Sequence, residues 1–304
     1  MAQLLEGKPV AEGMEADARR RAAAFRQRAG RAPRLVVLLA GEDPASWIYV
    51  ENKSKACART GIESETRRLP ASATTARLLQ EVRGLNGDPG VDGILVQLPL
   101  PDAVDERRVI EALDPAKDVD GFHPVNVGRL CLGESPLPPC TPAGILEMLR
   151  HYGIGIEGKE AVVLGRSNIV GKPLALLLLH AHATVTICHS RTRELPEVCR
   201  RADLLFVAVG KAGLVGREHV REGAVVVDVG VNRITDRALA ERLWGGTDRL
   251  RTFLEKGSLL VGDADFRAIE PVCSALSPVP GGVGLLTVAQ LLRNTVAAAE
   301  ARLP

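Results

Sequence analysis

The 304-residue sequence has no dominant charge, no paired cysteines and no long apolar run, and each absence removes a class of protein. Formal net charge is only +2, with acids and bases interspersed, so no basic field calls for nucleic acid or an anionic membrane. The six cysteines (Cys57, Cys131, Cys140, Cys188, Cys199, Cys273) are scattered, without a CxxC pair or paired histidines. That argues against a zinc site and a disulfide framework, and for the reducing cytoplasm. The most apolar stretch, "PLALLLLHAHATVTIC", is broken by His180 and His182 and is too short to span a bilayer. The N-terminal "MAQLLEGKPVAEGMEADARRRAAAF" carries early acids and lacks an apolar signal core.

What is present is a soluble globular profile, 46% hydrophobic and 25% charged, at a length that suggests about two domains. Strand and helix signals alternate. "RLVVLLAG" (34–41) is a buried-strand run; Asp43 then caps a helix that starts near Pro44 and ends at Gly61. "TTARLLQEVRGLNG" reads as helix, "VDGILVQLPLP" as strand and "DERRVIEALDP" as helix. This is βαβ grammar, which favours a parallel sheet covered on both faces. The Pro- and Gly-rich passage "DGFHPVNVGRLCLGESPLPPCTP" reads as a domain crossing, after which Thr141 caps a helix opening at Pro142. Five further runs, "EAVVLGRS", "ATVTICHS", "DLLFVAVG", "GAVVVDVG" and "GSLLVGDADF", are strand-like and end in small or polar residues, as strands of a doubly wound sheet do. "LAERLWGGTDRLRTFLEK" reads as a surface helix–turn insertion, and "VGLLTVAQLLRNTVAAAEARL" as a long amphipathic helix.

Several segments could carry chemistry. In "PASWIYVENKSKAC", Tyr49 and Lys53 stand four residues apart on one helical face. They fit either a packed ring beside a snorkelling amine or a catalytic pair. "VVLGRSNIVGKP" runs a strand into Gly165 and opens a helix at Gly171. The spacing departs from G-x-G-x-x-G, so a dinucleotide site and a plain tight turn both remain open. The next strand ends in His189, Ser190, Arg191, Thr192 and Arg193, with no acid before Glu194. With Arg166, that set suits the ribose phosphate of NADP, or is a solvated basic loop. Asp118 and Asp120 could brace a turn or, less readily, hold a hard cation; no further carboxylates follow at ligand spacing. Gln97, amid apolar neighbours at a strand end, needs hydrogen bonds from structure or from a ligand.

"PASWIYVENKSKA", "DGILVQLPLP", "KDVDGFHPVNVGRL", "PCTPAGI", "GRSNIVGKP", "VDVGVNR", "VGDADF" and "SPVPGGVG" occur in the order seen in the methylenetetrahydrofolate dehydrogenase/cyclohydrolase family, which the sequence resembles over nearly its whole length. The resemblance implies an α/β chain with a folate-binding domain over 1–139, completed by a C-terminal helix (284–304), and a Rossmann-like NADP domain over 140–283. It implies an active site in the cleft between the two, a homodimer, tetrahydrofolate derivatives as substrates, and NADP rather than a metal as cofactor. By the same resemblance Lys53 is the central catalytic group, Tyr49 packs on the folate's aminobenzoyl region, Gln97 positions the lysine, and Asp120 accepts from the pterin. Gly165, Arg166 and Ser167 would hold cofactor phosphates, Ser190 the ribose phosphate and Val231 the nicotinamide side, with Thr287 a further cofactor-binding residue.

The implied chemistry is hydride transfer from a methylene bridge to NADP, then water attack on the resulting methenyl carbon and cleavage of one C–N bond. A cationic carbon beside a lysine favours the neutral amine, which can accept a proton; the same lysine could instead be an orienting donor. Two departures from the family pattern stand out. Leu285 replaces a proline in "VGLLT", which should loosen the local backbone, and Ala264 replaces valine in "GDADF". A short-chain dehydrogenase, which also uses Y-x-x-x-K, is rejected because its glycine-rich turn precedes the pair. A protein with one activity only, and a folate binder without turnover, are the remaining alternatives.

Overall fold

The computed structural model describes residues 2–303, and the chain divides into two compact units. One comprises Ala11–Cys140 with the chain from Thr287 onward; the other comprises the chain up to Val10 with Thr141–Leu286. In chain order the strands described are β1 (Gln3–Leu4), β2 (Arg34–Ala40), β3 (Glu63–Leu69), β4 (Gly93–Val96), β5 (Glu160–Leu164), β6 (Thr184–Cys188), β7 (Leu204–Val207), β8 (Val225–Asp228), β9 (Asn232–Ile234), β10 (Leu259–Val261) and β11 (Ala275–Leu276).

The unit that contains Lys53 is built on a parallel three-stranded sheet in the order β3-β2-β4. Its centre is the run "RLVVLLA", and the period of two sends its side chains into two separate cores. Leu35, Val37 and Leu39 pack with Ala18 and Ala22, with Val50, Ala56 and Cys57, and with Leu291, Leu292 and Val296. Those partners lie on the helices Gly7–Ala29, Pro44–Thr60 and Gly284–Glu300. Val36, Leu38 and Ala40 pack instead with Leu78, Val82, Leu85 and Val109, from the helices Thr75–Gly87 and Glu106–Glu111. Emptying one such leucine position to alanine costs about 2–5 kcal/mol. The strand ends that carry polar residues are therefore fixed from both faces.

The other unit holds a parallel six-stranded sheet in the order β1-β11-β8-β7-β5-β6. Four of the five strand-like runs read from the sequence enter it. The fifth, "GSLLVGDADF", does not: β10 pairs antiparallel with β9 in a sheet of its own. Leu259 and Val261 point into a separate small core with Ile234, Ala240, Leu243 and Phe253, shared with the helices Arg237–Trp244 and Asp248–Lys256. The helical stretch read as a surface insertion thus brings a core with it.

Two further differences from the sequence reading are local. The helix expected from Pro142 begins at Cys140, so Thr141 lies inside it rather than before it. The Pro- and Gly-rich passage contains the helix Pro124–Cys131, capped by His123, whose Nδ1 accepts from the Val125 amide at 3.1 Å. Leu285, at the family's proline position, is part of the helix that starts at Gly284. Among the described residues no helix is long and apolar enough to cross a membrane.

Candidate active site

Both units place their polar motif residues beyond the C-terminal ends of parallel strands, the edge at which open α/β sheets bind ligands. In the first unit, β2 runs through Gly41 to Asp43, whose carboxylate accepts from the Ser46 amide (2.9 Å) and hydroxyl (2.8 Å). That is the helix start expected from the sequence. The Arg68 guanidinium lies 3.9 Å over the Trp47 ring, and Trp47 packs on the core, so the first turn is held from two sides. From this helix Tyr49 and Lys53 project on one face; Tyr49 is 52% exposed and Lys53 is half-buried.

Lys53 meets Gln97. The amine Nζ donates to Gln97 Oε1 at 2.9 Å, while Gln97 Nε2 donates to the Leu98 carbonyl at 2.7 Å. The second bond settles which end of the amide faces the lysine, because turning it over would lose both. Gln97 is only 9% exposed and its backbone amide donates to the Leu38 carbonyl (2.9 Å), so the acceptor is anchored on the sheet.

Asp120 reaches the same edge by another route. The segment before it runs beside β4, with Asp118 bridged to Ile94 and the Ile94 amide donating to the Lys117 carbonyl at 2.7 Å. Lys117 is fully buried and drives its ammonium into the Leu85, Asn86 and Asp88 carbonyls at 2.7–2.9 Å, at the C-terminal end of the helix Thr75–Gly87. Burial pulls its pKa down from the usual lysine range. Asp118 is also buried and accepts from the His123 amide (2.8 Å) and Asn126 Nδ2 (2.9 Å), which makes it a turn brace. Asp120 differs. Its one hydrogen bond among the described residues is a long contact from the Cys140 thiol, 3.8 Å to Oδ1. Burial pushes its pKa up to about 6, against the opposing pull of the Lys53 charge. Asp120 borders a small recess lined also by Asp118, Ile94, Val96, Leu98, Ile110, Leu113 and Phe122. An acid with spare acceptors can take donors from a flat heterocycle. No group of three or more His, Cys, Asp or Glu able to hold a metal occurs among the described residues.

Two contributors escape the sequence reading. Asn294, buried on the C-terminal helix, donates from Nδ2 to the Val119 carbonyl (2.9 Å) and the Pro138 carbonyl (2.8 Å), and accepts from Gln290 at 2.8 Å. It therefore holds the residue next to Asp120 across 175 positions of sequence. Cys140, also buried, gives its thiol to the Val119 carbonyl at 3.4 Å as well as to Asp120. The only local signal was two amides, Gln290 and Asn294, four residues apart in a largely apolar helix.

In the second unit the turn after β5 is as tight as its glycines suggest. A Cβ on Gly165, at φ +132°, would run into the Ala208 carbonyl, and one on Gly171 into the Gly165 carbonyl. Ser167 Oγ accepts from the Val170 amide (3.1 Å) and the Gly171 amide (3.3 Å), which leaves its own proton to be donated outward. Arg166 and Ser167 are exposed, as are Ser190 and Arg191 on the turn after β6. That turn is shaped by the His189 amide donating to Thr192 Oγ1 (2.9 Å) and the Arg191 amide donating to His189 Nδ1 (3.1 Å). Val231, 48% exposed, follows β8. Thr287 stands apart from this group, in the first turn of the helix Gly284–Glu300 and in the unit of Lys53.

The fold and these residues have close counterparts. Residues 5–120 match the family model of the tetrahydrofolate dehydrogenase/cyclohydrolase catalytic domain, and residues 139–303 that of the NAD(P)-binding domain of the same family. The bifunctional protein FolD of Koribacter versatilis is 50% identical over 303 residues, covering 99% of this chain and 98% of that protein. The crystal structure of the bifunctional FolD methylenetetrahydrofolate dehydrogenase/cyclohydrolase from Campylobacter jejuni covers all of both chains at 43% identity and a TM-score of 0.90. That of Trypanosoma brucei, complexed with NADP cofactor and inhibitor, covers 99% of this chain and 98% of its own at 36% identity and a TM-score of 0.88. With both family models matched in order and half the residues identical along its length, this chain belongs to the tetrahydrofolate dehydrogenase/cyclohydrolase family.

Proposed function

We propose that the protein is a bifunctional enzyme of one-carbon metabolism. It oxidises methylenetetrahydrofolate with NADP to the methenyl form and hydrolyses that product to formyltetrahydrofolate. The observation that carries this reading is the Lys53–Gln97 bond at the sheet edge, with Tyr49 one turn away and Asp120 holding spare acceptors. Full-length likeness to relatives named for both activities supports it.

In this reading Asp120 takes the donors of the pterin and Tyr49 lies along the aminobenzoyl ring, so the reacting carbon comes to Lys53. Gln97, itself tethered to Leu98, keeps one Lys53 N–H engaged and aims the rest of the amine. Water adds to the methenyl carbon and loses one proton, and one C–N bond opens as the remaining hydroxyl proton passes to the leaving nitrogen and the formyl C=O forms. Lys53 is the group within reach of that proton traffic, and such a group typically contributes about a hundredfold to ten-thousandfold.

The residues of the second unit suit NADP. Ser167 has a proton to give, and Arg166, Ser190 and Arg191 stand exposed on adjacent turns with no acid before Glu194. Arg166 and Ser167, with the Gly165 turn, would hold the phosphates, and Ser190 and Arg191 the ribose phosphate. Val231 would meet the nicotinamide side. Bound there, NADP supplies the hydride acceptor. The working form in this reading is a cytoplasmic homodimer that does not engage nucleic acid or membrane.

Absorbance of the methenyl intermediate, followed with and without NADP, tests the whole reading. Methylenetetrahydrofolate should yield the methenyl signal only with NADP, and methenyltetrahydrofolate supplied directly should decay without it. A protein that does only one of these has a single activity, and one that does neither only binds folate.

A further inference from the structure

The sequence motifs "VDVG" and "GDAD" end β8 and follow β10, and neither acid has a part in the chemistry above. In the structure the two acids interlock. Asp228 Oδ1 accepts from the Gly230 amide (3.0 Å) and the Asp263 amide (3.0 Å), and Oδ2 from the Ala264 amide (2.8 Å). Asp263 Oδ2 accepts from the Val209 amide (2.6 Å) and the Gly210 amide (2.9 Å). Its Oδ1 accepts from the Lys211 amide (2.8 Å) and Asn232 Nδ2 (2.8 Å). Each carboxylate also rests against the other motif's glycine: a Cβ on Gly230 would collide with Asp263, and one on Gly262 with Asp228. Asp263 is fully buried and Asp228 nearly so.

Seven donors from three chain segments, 209–211, 230–232 and 263–264, thus converge on two acids at the sheet edge assigned above to the dinucleotide. Val231 lies between them in a telling way. The residue before it is tied to Asp228 and the residue after it to Asp263. The segment held by Asp263 also follows Ala208, whose carbonyl closes on the Gly165 turn and whose amide donates to Leu164.

We infer that Asp263, with Asp228, is a positioning residue for hydride transfer, fixing the backbone of Val231 against the nicotinamide end of the dinucleotide. The inference rests on the proposed dehydrogenase activity and adds to it the residues that set its geometry. An error of about 1 Å in the approach of donor and acceptor can cost about a hundredfold in rate, so loss of this support should show in the hydride step before it shows in binding.

The test compares the native enzyme with Asp263→Asn and Asn232→Ala. The asparagine amide would present N–H groups to donors whichever way it turned, whereas Asn232→Ala removes one donor and leaves the other three bonds to Asp263. Expected for Asp263→Asn is a dehydrogenase turnover lower by about tenfold to a hundredfold. NADP affinity by direct titration should change less than about threefold, and hydrolysis of methenyltetrahydrofolate should stay near native, because neither depends on that geometry. The primary isotope effect with deuterated methylenetetrahydrofolate should rise as hydride transfer becomes limiting. A smaller active fraction would leave it unchanged. Asn232→Ala should give the same pattern more weakly. If Asp263→Asn loses both activities, Asn232→Ala decides: a selective fall in turnover with a raised isotope effect supports the inference. Native turnover and isotope effect in Asn232→Ala, or in both variants, overturn it. A native enzyme without dehydrogenase activity would overturn the proposed function itself, a separate outcome.

Discussion

Asp263 and Asp120 are both acids at the C-terminal edge of a parallel sheet, yet they end in opposite states. Asp263 accepts four hydrogen bonds from its own chain, while Asp120 receives one long thiol contact. The difference separates two uses of a carboxylate at such an edge. A saturated one organises backbone and has nothing to offer a ligand. One left short of donors stays costly until a ligand supplies them. Within the folate unit the same contrast recurs two residues apart, since Asp118 is satisfied by His123 and Asn126 and Asp120 is not.

The largest expected effect breaks the comparison from outside the acids. Lys53→Met keeps the side-chain stem and deletes the amine, so the cyclohydrolase should fall by about a hundredfold to ten-thousandfold. Hydride transfer, which needs chiefly positioning, should survive in part, and the fold should be intact because the lysine is half-buried and, among the described residues, bonded only to Gln97. Near-native hydrolysis by a folded Lys53→Met would remove the lysine from the mechanism. Next in size is Asp120→Asn. An amide must turn an N–H toward one of the pterin donors, and the unmatched group should weaken folate binding about tenfold to a hundredfold in both activities. Calorimetric titration of the folate measures this; unchanged affinity would place the pterin elsewhere.

A smaller effect concerns the other unit. Ser190→Ala should lower kcat/KM with NADP about tenfold, through loss of a hydrogen bond to a charged group, and leave that with NAD nearly unchanged. Equal losses with both cofactors would detach Ser190 from the ribose phosphate.

The smallest effect is on stability, and its sign follows from Asp120. An unfolded aspartate titrates near 3.9, whereas burial holds Asp120 up to about 6 in the fold. Between those values the folded state binds the extra proton. The stabilisation it contributes is complete below about pH 4 and is lost as pH rises through about 6. Asp228, raised to about 7 by burial, acts in the same direction over a slightly wider window. Chemical denaturation across pH 4–8 should show Asp120→Asn with a shallower decline than the native protein. A parallel decline would mean that Asp120 titrates alike in both states.

The sequence was legible wherever the physics is local. β2 announced itself as a continuous apolar run because it is buried on both faces, and Asp43 and Gly61 marked the ends of the Tyr49 helix. Gln97 was conspicuous as a polar residue at an apolar strand end, though only the structure shows its oxygen turned to Lys53. β10 misled because three apolar residues look the same whether they join a large parallel sheet or pair with β9. β1, two residues long, has no period to read, and the helix Pro124–Cys131 hides in Pro- and Gly-rich composition, its cap being a histidine rather than the usual Ser, Thr, Asp or Asn. The groups that orient Asp120 lie furthest from view. Cys140 and Asn294 stand 20 and 174 residues from it, and no spacing rule links them.

Asn294 and its neighbours also bear on how the protein is made. Leu291, Leu292 and Val296 fill the core under Val37 and Leu39, and Asn294 ties the Val119 and Pro138 carbonyls, yet all four are translated after the second unit's sheet strands. At roughly 5–20 residues per second, the segment carrying Lys53, Gln97 and Asp120 waits on the order of ten seconds or more for the helix that closes its core. The dinucleotide unit lacks nothing beyond Leu286. On the ribosome, the part of the chain that is begun early and bears Lys53 is the part completed last.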